Sequence, residues 1–408
     1  MSEAIALHFF DCVRVAGETL QGHVDVNIPI AMQDKMECVR VKLRGSIVTK
    51  VTETHHNAVQ HSDVIHNKSH HQVQTIQILR IDQTVWDQSR NAQGAQVVSC
   101  PFQIQLPPVL PPSFIYERML DRTAVISYSL EVEGVRHGLL HVNRRIRRIF
   151  SVVPPATPWE FNASAALHRG WTGPWKPFAT NKEIRHGVLF GEHAQAKIEV
   201  VLPDLPSFPM VTGIPFSFHV LTTTKQVHHK DLEDKRDKLF PAPPTSPADV
   251  ELRLHRRGRM SAHFTRHPID DRFDLAGSLG DQAAINQVRM RIDEPEWIHT
   301  PDQKEDKGNW KRAVHFDGLM SIPFVPDYTT ETVEWHYFLR FKVDFPGIGN
   351  DLELDIPVHI NSGAAIPPLP QYNTNVPYQY PTPAGPPPMM TLPPAYWSGE
   401  HHFWDETQ

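Results

Sequence analysis

A hydrophobic period of two, met again and again along the chain, constrains the fold more than any other feature. In Glu37-Cys38-Val39-Arg40-Val41-Lys42-Leu43-Arg44-Gly45, apolar and basic residues alternate. Successive side chains of an extended backbone point to opposite faces, so such a segment offers one face to a core and one to water. The same pattern fills residues 24–28, 102–106, 125–132 and 146–152, and most of these segments end at Gly or Pro. Strands of this kind and number before residue 155 predict one antiparallel β-sandwich. Proline agrees: 37 of 408 residues is about 9%, against a usual ~5%, which argues against a helix-rich fold.

Alternation returns in 196–202, 215–220, 250–254, 335–343 and 352–356. The last two flank Asp344-Phe345-Pro346-Gly347-Ile348-Gly349-Asn350-Asp351, a hairpin loop by its Gly and Asn content. The chain therefore reads as all-β: a first sandwich over 1–155, a second over 184–362, and an irregular connector over 156–183. Pro154, Pro155, Pro158, Pro174 and Pro177 break up the connector, and Trp159, Trp171 and Trp175 are expected to pack it against a neighbour. Two aperiodic stretches read as exposed loops, the His-rich 52–74 and the charged, then proline-rich, 225–247. Over 363–408 the composition shifts again. Eleven of the last 43 residues are Pro, with little to bury, so a disordered or polyproline-II tail is expected.

Charge and cysteine content narrow the function. Forty Lys and Arg against 46 Asp and Glu give a net charge of -6, which does not favour a nucleic-acid partner. Cys12, Cys38 and Cys100 are an odd set without C-x-x-C spacing, fitting a reducing, cytoplasmic setting rather than a disulfide framework. The N-terminus lacks a basic signal-peptide region and no long apolar span occurs, so neither secretion nor membrane crossing is expected.

The tail carries the clearest motif. Pro393-Pro394-Ala395-Tyr396 is a PPxY sequence: consecutive prolines hold the backbone extended and stack in an aromatic groove while Tyr enters the adjacent pocket, the chemistry of WW-domain recognition. Leu369-Pro370-Gln371-Tyr372 is a looser LPxY version, twenty residues upstream of Pro393. Two such motifs can engage tandem WW domains on one partner with gain from effective concentration.

The folded part resembles the α-arrestins, fungal arrestin-domain proteins that adapt WW-containing HECT-type ubiquitin ligases to plasma-membrane cargo. The residues that carry the resemblance are Gly17-Glu18-Thr19-Leu20-Gln21-Gly22-His23-Val24, Val39-Arg40-Val41-Lys42-Leu43-Arg44-Gly45, Phe102-Gln103-Ile104-Gln105-Leu106-Pro107, Leu110-Pro111-Pro112-Ser113-Phe114 and Ile126-Ser127-Tyr128-Ser129-Leu130-Glu131-Val132. In the second sandwich 197–202, 213–221, 337–343 and 357–360 are similar to arrestin C-domain strands, although Ile214-Pro215 stand where the family has an acidic residue after the glycine. The resemblance implies two tandem immunoglobulin-like sandwiches, the arrestin fold, and a non-enzymatic adaptor of transporter or receptor cytosolic tails. Such an adaptor is cytoplasmic, is recruited to plasma membrane or endosomes, and promotes cargo ubiquitination and endocytosis. The alternative is an arrestin-fold trafficking scaffold, as in retromer-like sorting or coat binding, that works without ubiquitin.

Other constellations are weaker. Arg144, Arg145, Arg147 and Arg148 form the densest basic run. With Lys42, Arg44 and Arg136 they are candidates for contact with acidic cargo tails or anionic lipid, or else for charges that protect a sheet edge. His55, His56, His61, His66, His70 and His71 have spacings that suit no fixed coordination geometry, so no metal is assigned to them. Lys225, Lys230, Lys235 and Lys238 beside Ser246-Pro247 are candidate ubiquitin and phosphate acceptors, or simply a solvated loop. Asp270-Asp271 and Glu294/Glu296 are carboxylate pairs, but no nucleophile elbow, zincin motif or P-loop accompanies them. The sequence thus predicts no enzyme, no cofactor and no small-molecule substrate. A third reading, carbohydrate binding, would need the three connector tryptophans to line a groove.

Overall fold

In the computed structural model, the described residues are 4–57, 66–90, 96–118, 122–136, 142–186, 192–230, 239–275, 279, 287–299 and 307–368. They build two β-sandwiches in succession. In the first, a three-stranded sheet orders Ile5–Phe9, Thr19–Asn27 and Val97–Gln105 antiparallel. It faces a five-stranded sheet of His66–Asp87, Met36–Asn57, Arg122–Arg136 and Phe114–Arg118, with Arg144–Phe150 also paired to Arg122–Arg136. Val39, Val41 and Leu43 are fully buried between them, the inward half of the alternation that marks this strand in the sequence.

The second sandwich sets a seven-stranded sheet around Ile214–Thr223 and Lys307–Met320 against a five-stranded sheet around Val250–Ala262 and Val333–Val343. Ile214–Thr223 alternates buried and half-buried side chains over its whole length. Phe218 meets Phe316 and Phe341 at ring distances of 6.1 and 5.2 Å, at the centre of this core. Val333–Val343 and Leu352–Val358 pair antiparallel around the Gly-rich loop, as its composition predicts.

Three stretches differ from the sequence reading. Residues 52–74 are not an open loop: Met36–Asn57 and His66–Asp87 pair as one long antiparallel ribbon, with 58–65 outside the described residues. Among the described side chains none between Val51 and Leu79 is buried. At these described positions no fully buried face imposes alternation, and periodicity is silent. Of 225–247, residues 231–238 lie outside the described residues, and 239–247 fold back onto the sheet: Arg312 donates to the carbonyls of Leu239, at 2.9 Å, and Pro241, and Pro241, Pro244 and Pro247 are buried.

The stretch read as an irregular connector contains a helix, α2 (Pro158–Arg169), and the first part of strand Trp175–His186; a shorter helix, α1 (Ile28–Gln33), lies in the first sandwich. Thr157 caps α2 reciprocally with Glu160, the Glu160 N–H donating to Thr157 Oγ1 and the Thr157 N–H to Glu160 Oε2. Pro158 occupies the first turn, where its missing N–H costs nothing. Trp159 and Trp175 are about half exposed and Trp171 spends its indole N–H on Pro174 O, so these tryptophans are not what packs the connector against its neighbour. Ala163, Ser164 and Leu167 make the buried face of α2 instead.

Candidate functional site

The two sandwiches meet at a seam built on one buried charge. In Val250–Ala262 the inward register runs Val250, Leu252, Leu254 and then Arg256, which is only 4% exposed. Its guanidinium donates through Nε and one terminal nitrogen to Asp271 Oδ2, at 3.1 and 2.6 Å, across the directly opposed register position of Thr265–Asp274. The rings of Phe114, Tyr116 and Phe273 surround it at 5.1, 5.5 and 5.2 Å. Phe114 and Tyr116 belong to the first sandwich, so this cation joins the two domains through π faces as well as through its ion pair. Burial and the Asp271 charge push the Tyr116 phenol above its ordinary range. Thr49 Oγ1 donates to Thr332 Oγ1 at 3.1 Å, and the His263 N–H donates to Gln74 Oε1 at 2.7 Å, completing the seam.

A second surface lies along the edge strand Arg144–Phe150, where Arg144, Arg145, Arg147 and Arg148 are all exposed. Antiparallel pairing puts Arg145 opposite Glu133 and Arg147 opposite Glu131. Glu133 also holds Lys42, and Asp34 holds Arg136 and Arg144. Burial pushes Glu133 and Asp34 upward, but their basic partners outweigh it and both titrate below the usual carboxylate range. The cluster sets Lys42, Arg136, Arg144, Arg145, Arg147 and Arg148 against Asp34, Glu131 and Glu133. The edge keeps a positive excess even after its ion pairs are made. Arg44 belongs elsewhere, paired with Asp82 on the neighbouring strand.

The third element is the root of the tail. Ile360–Asn361 pairs in parallel with Phe208–Pro209. Asn361 Nδ2 donates to Ser207 Oγ at 2.9 Å, and Ser207 Oγ donates to Glu160 Oε1 at 2.7 Å. The Ala156 N–H then donates to Ala364 O at 2.7 Å. Ile366 ends against Gly17 of the first sandwich, where a Cβ would stand 2.9 Å from its Cδ1 and φ is +87°. Gly17 therefore serves both the turn and this close approach. Its neighbour Glu18 is buried, accepting the Val15 N–H and a bond from Arg14, and its burial raises the carboxyl above its usual range. Leu369, Pro370, Tyr372, Pro393, Pro394 and Tyr396 lie outside the described residues.

The remaining candidates separate. Asp271 belongs to the Arg256 pair and Glu296 pairs with Lys311 at 2.9 Å, so both carboxylates are engaged in ion pairs. Ser246 caps the short turn Pro247–Asp249, its hydroxyl accepting the Ala248 N–H. Lys225 and Lys230 are exposed, while Lys235 and Lys238 lie outside the described residues. Of the His-rich segment, His71 Nδ1 lies 2.8 Å from Thr52 Oγ1. Of the seam residues, the sequence marks Asp271 only as half of a carboxylate pair and Phe114 and Trp335 only within longer segments, and it passes over Arg256. The one signal was an arginine on the apolar register of 250–256.

The family model described as arrestin (or S-antigen), N-terminal domain, matches residues 7–157. None of the curated proteins compared with the chain matches it. The first sandwich is thus similar to the arrestin N-terminal domain, and the two sandwiches together have the arrestin fold.

Proposed function

We propose that the chain is a non-enzymatic trafficking adaptor of the α-arrestin type. Pro393, Pro394 and Tyr396, helped by Leu369, Pro370 and Tyr372, capture a WW-domain HECT-type ubiquitin ligase. The arrestin-fold body, over 1–155 and 184–362 with its connector, holds the cytosolic part of a membrane transporter or receptor. All bond chemistry then belongs to the ligase, and the adaptor contributes proximity, raising the effective concentration of ligase at cargo.

The observation that carries this reading is an arrestin N-terminal domain over 7–157 with the C-terminal segment bound back against it. Ala364 and Ile366 hold to Ala156 and Gly17, so the proline-rich stretch begins beside the first sandwich. The positive excess along Arg144–Phe150 supports recruitment to acidic cargo tails or to the anionic cytoplasmic leaflet. No helix among the described residues is long and apolar enough to cross a membrane, and the reading places the protein in the cytoplasm with recruitment to plasma membrane or endosomes.

The test is binding of the full chain to an isolated tandem-WW fragment, comparing wild type with Tyr396→Ala and with Tyr396→Ala plus Tyr372→Ala. Stepwise loss of affinity is expected. Equal binding by all three would end the ligase reading and leave a scaffold that works without ubiquitin.

A further inference from the structure

The outer face of the three-stranded sheet gathers three metal-binding side chains that the adaptor reading does not use. Ile5–Phe9 pairs with Thr19–Asn27 so that His8 stands directly opposite His23. Asp25 follows two residues later on the same strand and so on the same face. Val24 and Val26 occupy the alternate positions and are fully buried, which commits His23 and Asp25 to the solvent side.

The two imidazoles stack, centroids 4.4 Å apart and planes 9° apart, and both turn Nε2 toward the one carboxylate. His8 Nε2 lies 3.1 Å from Asp25 Oδ2, and His23 Nε2 lies 3.9 Å from Asp25 Oδ1. One donor atom from each residue falls within 4.8 Å of the other two. Tetrahedral zinc, with bonds of about 2.0–2.1 Å, sets its donors roughly 3.3 Å apart. Binding requires the two rings to swing out of their stack so that both Nε2 atoms converge on one point, and His8, with half its side chain in solvent, has room to make that turn.

We propose that His8, His23 and Asp25 form a zinc-binding site, with two imidazole nitrogens, one carboxylate oxygen and the fourth position left to water. Two imidazoles and a single carboxylate suit a divalent ion of the zinc class and do not suit magnesium or calcium, which demand oxygen ligands. The site bridges adjacent strands, so its occupancy pins Ile5–Phe9, an edge strand paired on one side only, to the rest of the sheet. Edge strands open more readily than central ones, and a cation that binds only the closed form shifts that equilibrium.

The test is hydrogen exchange of the full chain, read by mass spectrometry on peptides covering Ile5–Phe9 and Thr19–Asn27, with added zinc and with added magnesium. Zinc alone should slow exchange in these strands. His8→Gln and His23→Gln should each weaken the zinc response by at least about tenfold in concentration, while His71→Gln keeps it. Exchange of the variants without metal, in chelator, checks that the sheet still forms. Absence of any zinc effect on these peptides in wild type would overturn the proposal. So would an effect that survives both His8→Gln and His23→Gln, since zinc would then act through other histidines.

Discussion

Phe114 and Trp335 stack face to face across the domain seam, with ring centroids 4.0 Å apart and planes 7° apart. Each is almost wholly buried, and the Trp335 indole N–H donates to Pro326 O at 3.2 Å, so this large ring leaves no polar atom stranded in the interface. Flat stacking places the two sandwiches in one relative orientation, because sliding either ring exposes apolar surface on both.

Replacing Trp335 with Ala therefore removes a filled site in a close-packed seam. The expected loss is about 3–5 kcal/mol, read from the midpoint of chemical denaturation. Phe114→Ala should cost a similar amount, and the double variant should cost less than the sum, since the two rings share one contact. Strict additivity would mean that the stack contributes nothing of its own.

Arg256 and Asp271 give a sharper comparison. Asp271→Asn leaves a buried guanidinium without its counter-charge, and the expected loss is roughly 3 kcal/mol or more. Arg256→Met, which keeps volume against the Phe114, Tyr116 and Phe273 rings, should hurt less when combined with Asp271→Leu than Asp271→Asn does alone. Denaturation of the two variants at one pH decides the order.

The outer face of the second sandwich should respond to acid. Asp355 accepts two bonds from Arg340, at 2.6 and 2.7 Å, and one from Arg257 at 3.3 Å. Arg340 first, then Arg257, holds its carboxyl below the ordinary range, against an opposing push from burial. A depressed folded value means that the unfolded chain binds the proton first. The contribution is present above the unfolded value near 3.9 and is lost as pH falls through the lower folded one. Asp355→Asn should thus cost about 1 kcal/mol at neutral pH and almost nothing at the acid end. A pH-independent difference would refute the assignment.

For the basic edge, Arg147→Gln with Arg148→Gln removes two charges and spares the Glu133 ion pairs. Each basic residue near an anionic leaflet is worth about 1 kcal/mol, so sedimentation with phosphatidylserine vesicles should weaken about 30-fold at low salt. Binding to neutral vesicles should not change. Unaltered binding would mean that the run only protects the sheet edge.

Much of this architecture can be read from single strands. The alternation in 37–45 announces its buried face, and the glycines of 347–349 announce the hairpin. The opposite holds for α2: Thr157-Pro158-Trp159-Glu160 spells a capping box with Pro in the first turn, but among the surrounding prolines the stretch reads as an irregular link. The ribbon through 52–74 was not legible, because paired strands that cover no core show no hydrophobic period. The Pro-Tyr motifs are visible in the sequence for a different reason, since the recognition expected of them depends on local backbone stiffness; they lie outside the described residues.

What the sequence by itself determined, then, are the properties of one stretch of chain: which face of a strand is apolar, and where a Gly-rich loop turns one strand back on the next. Only the tertiary structure decided that His8 opposes His23, that Arg256 meets Asp271 beneath the rings of Phe114 and Tyr116, and that Ile366 returns to Gly17. The physical reason is that side-chain direction along a strand follows from its own backbone geometry, whereas the choice of neighbour and register depends on loop closure and on competition among all the other strands for the same edges.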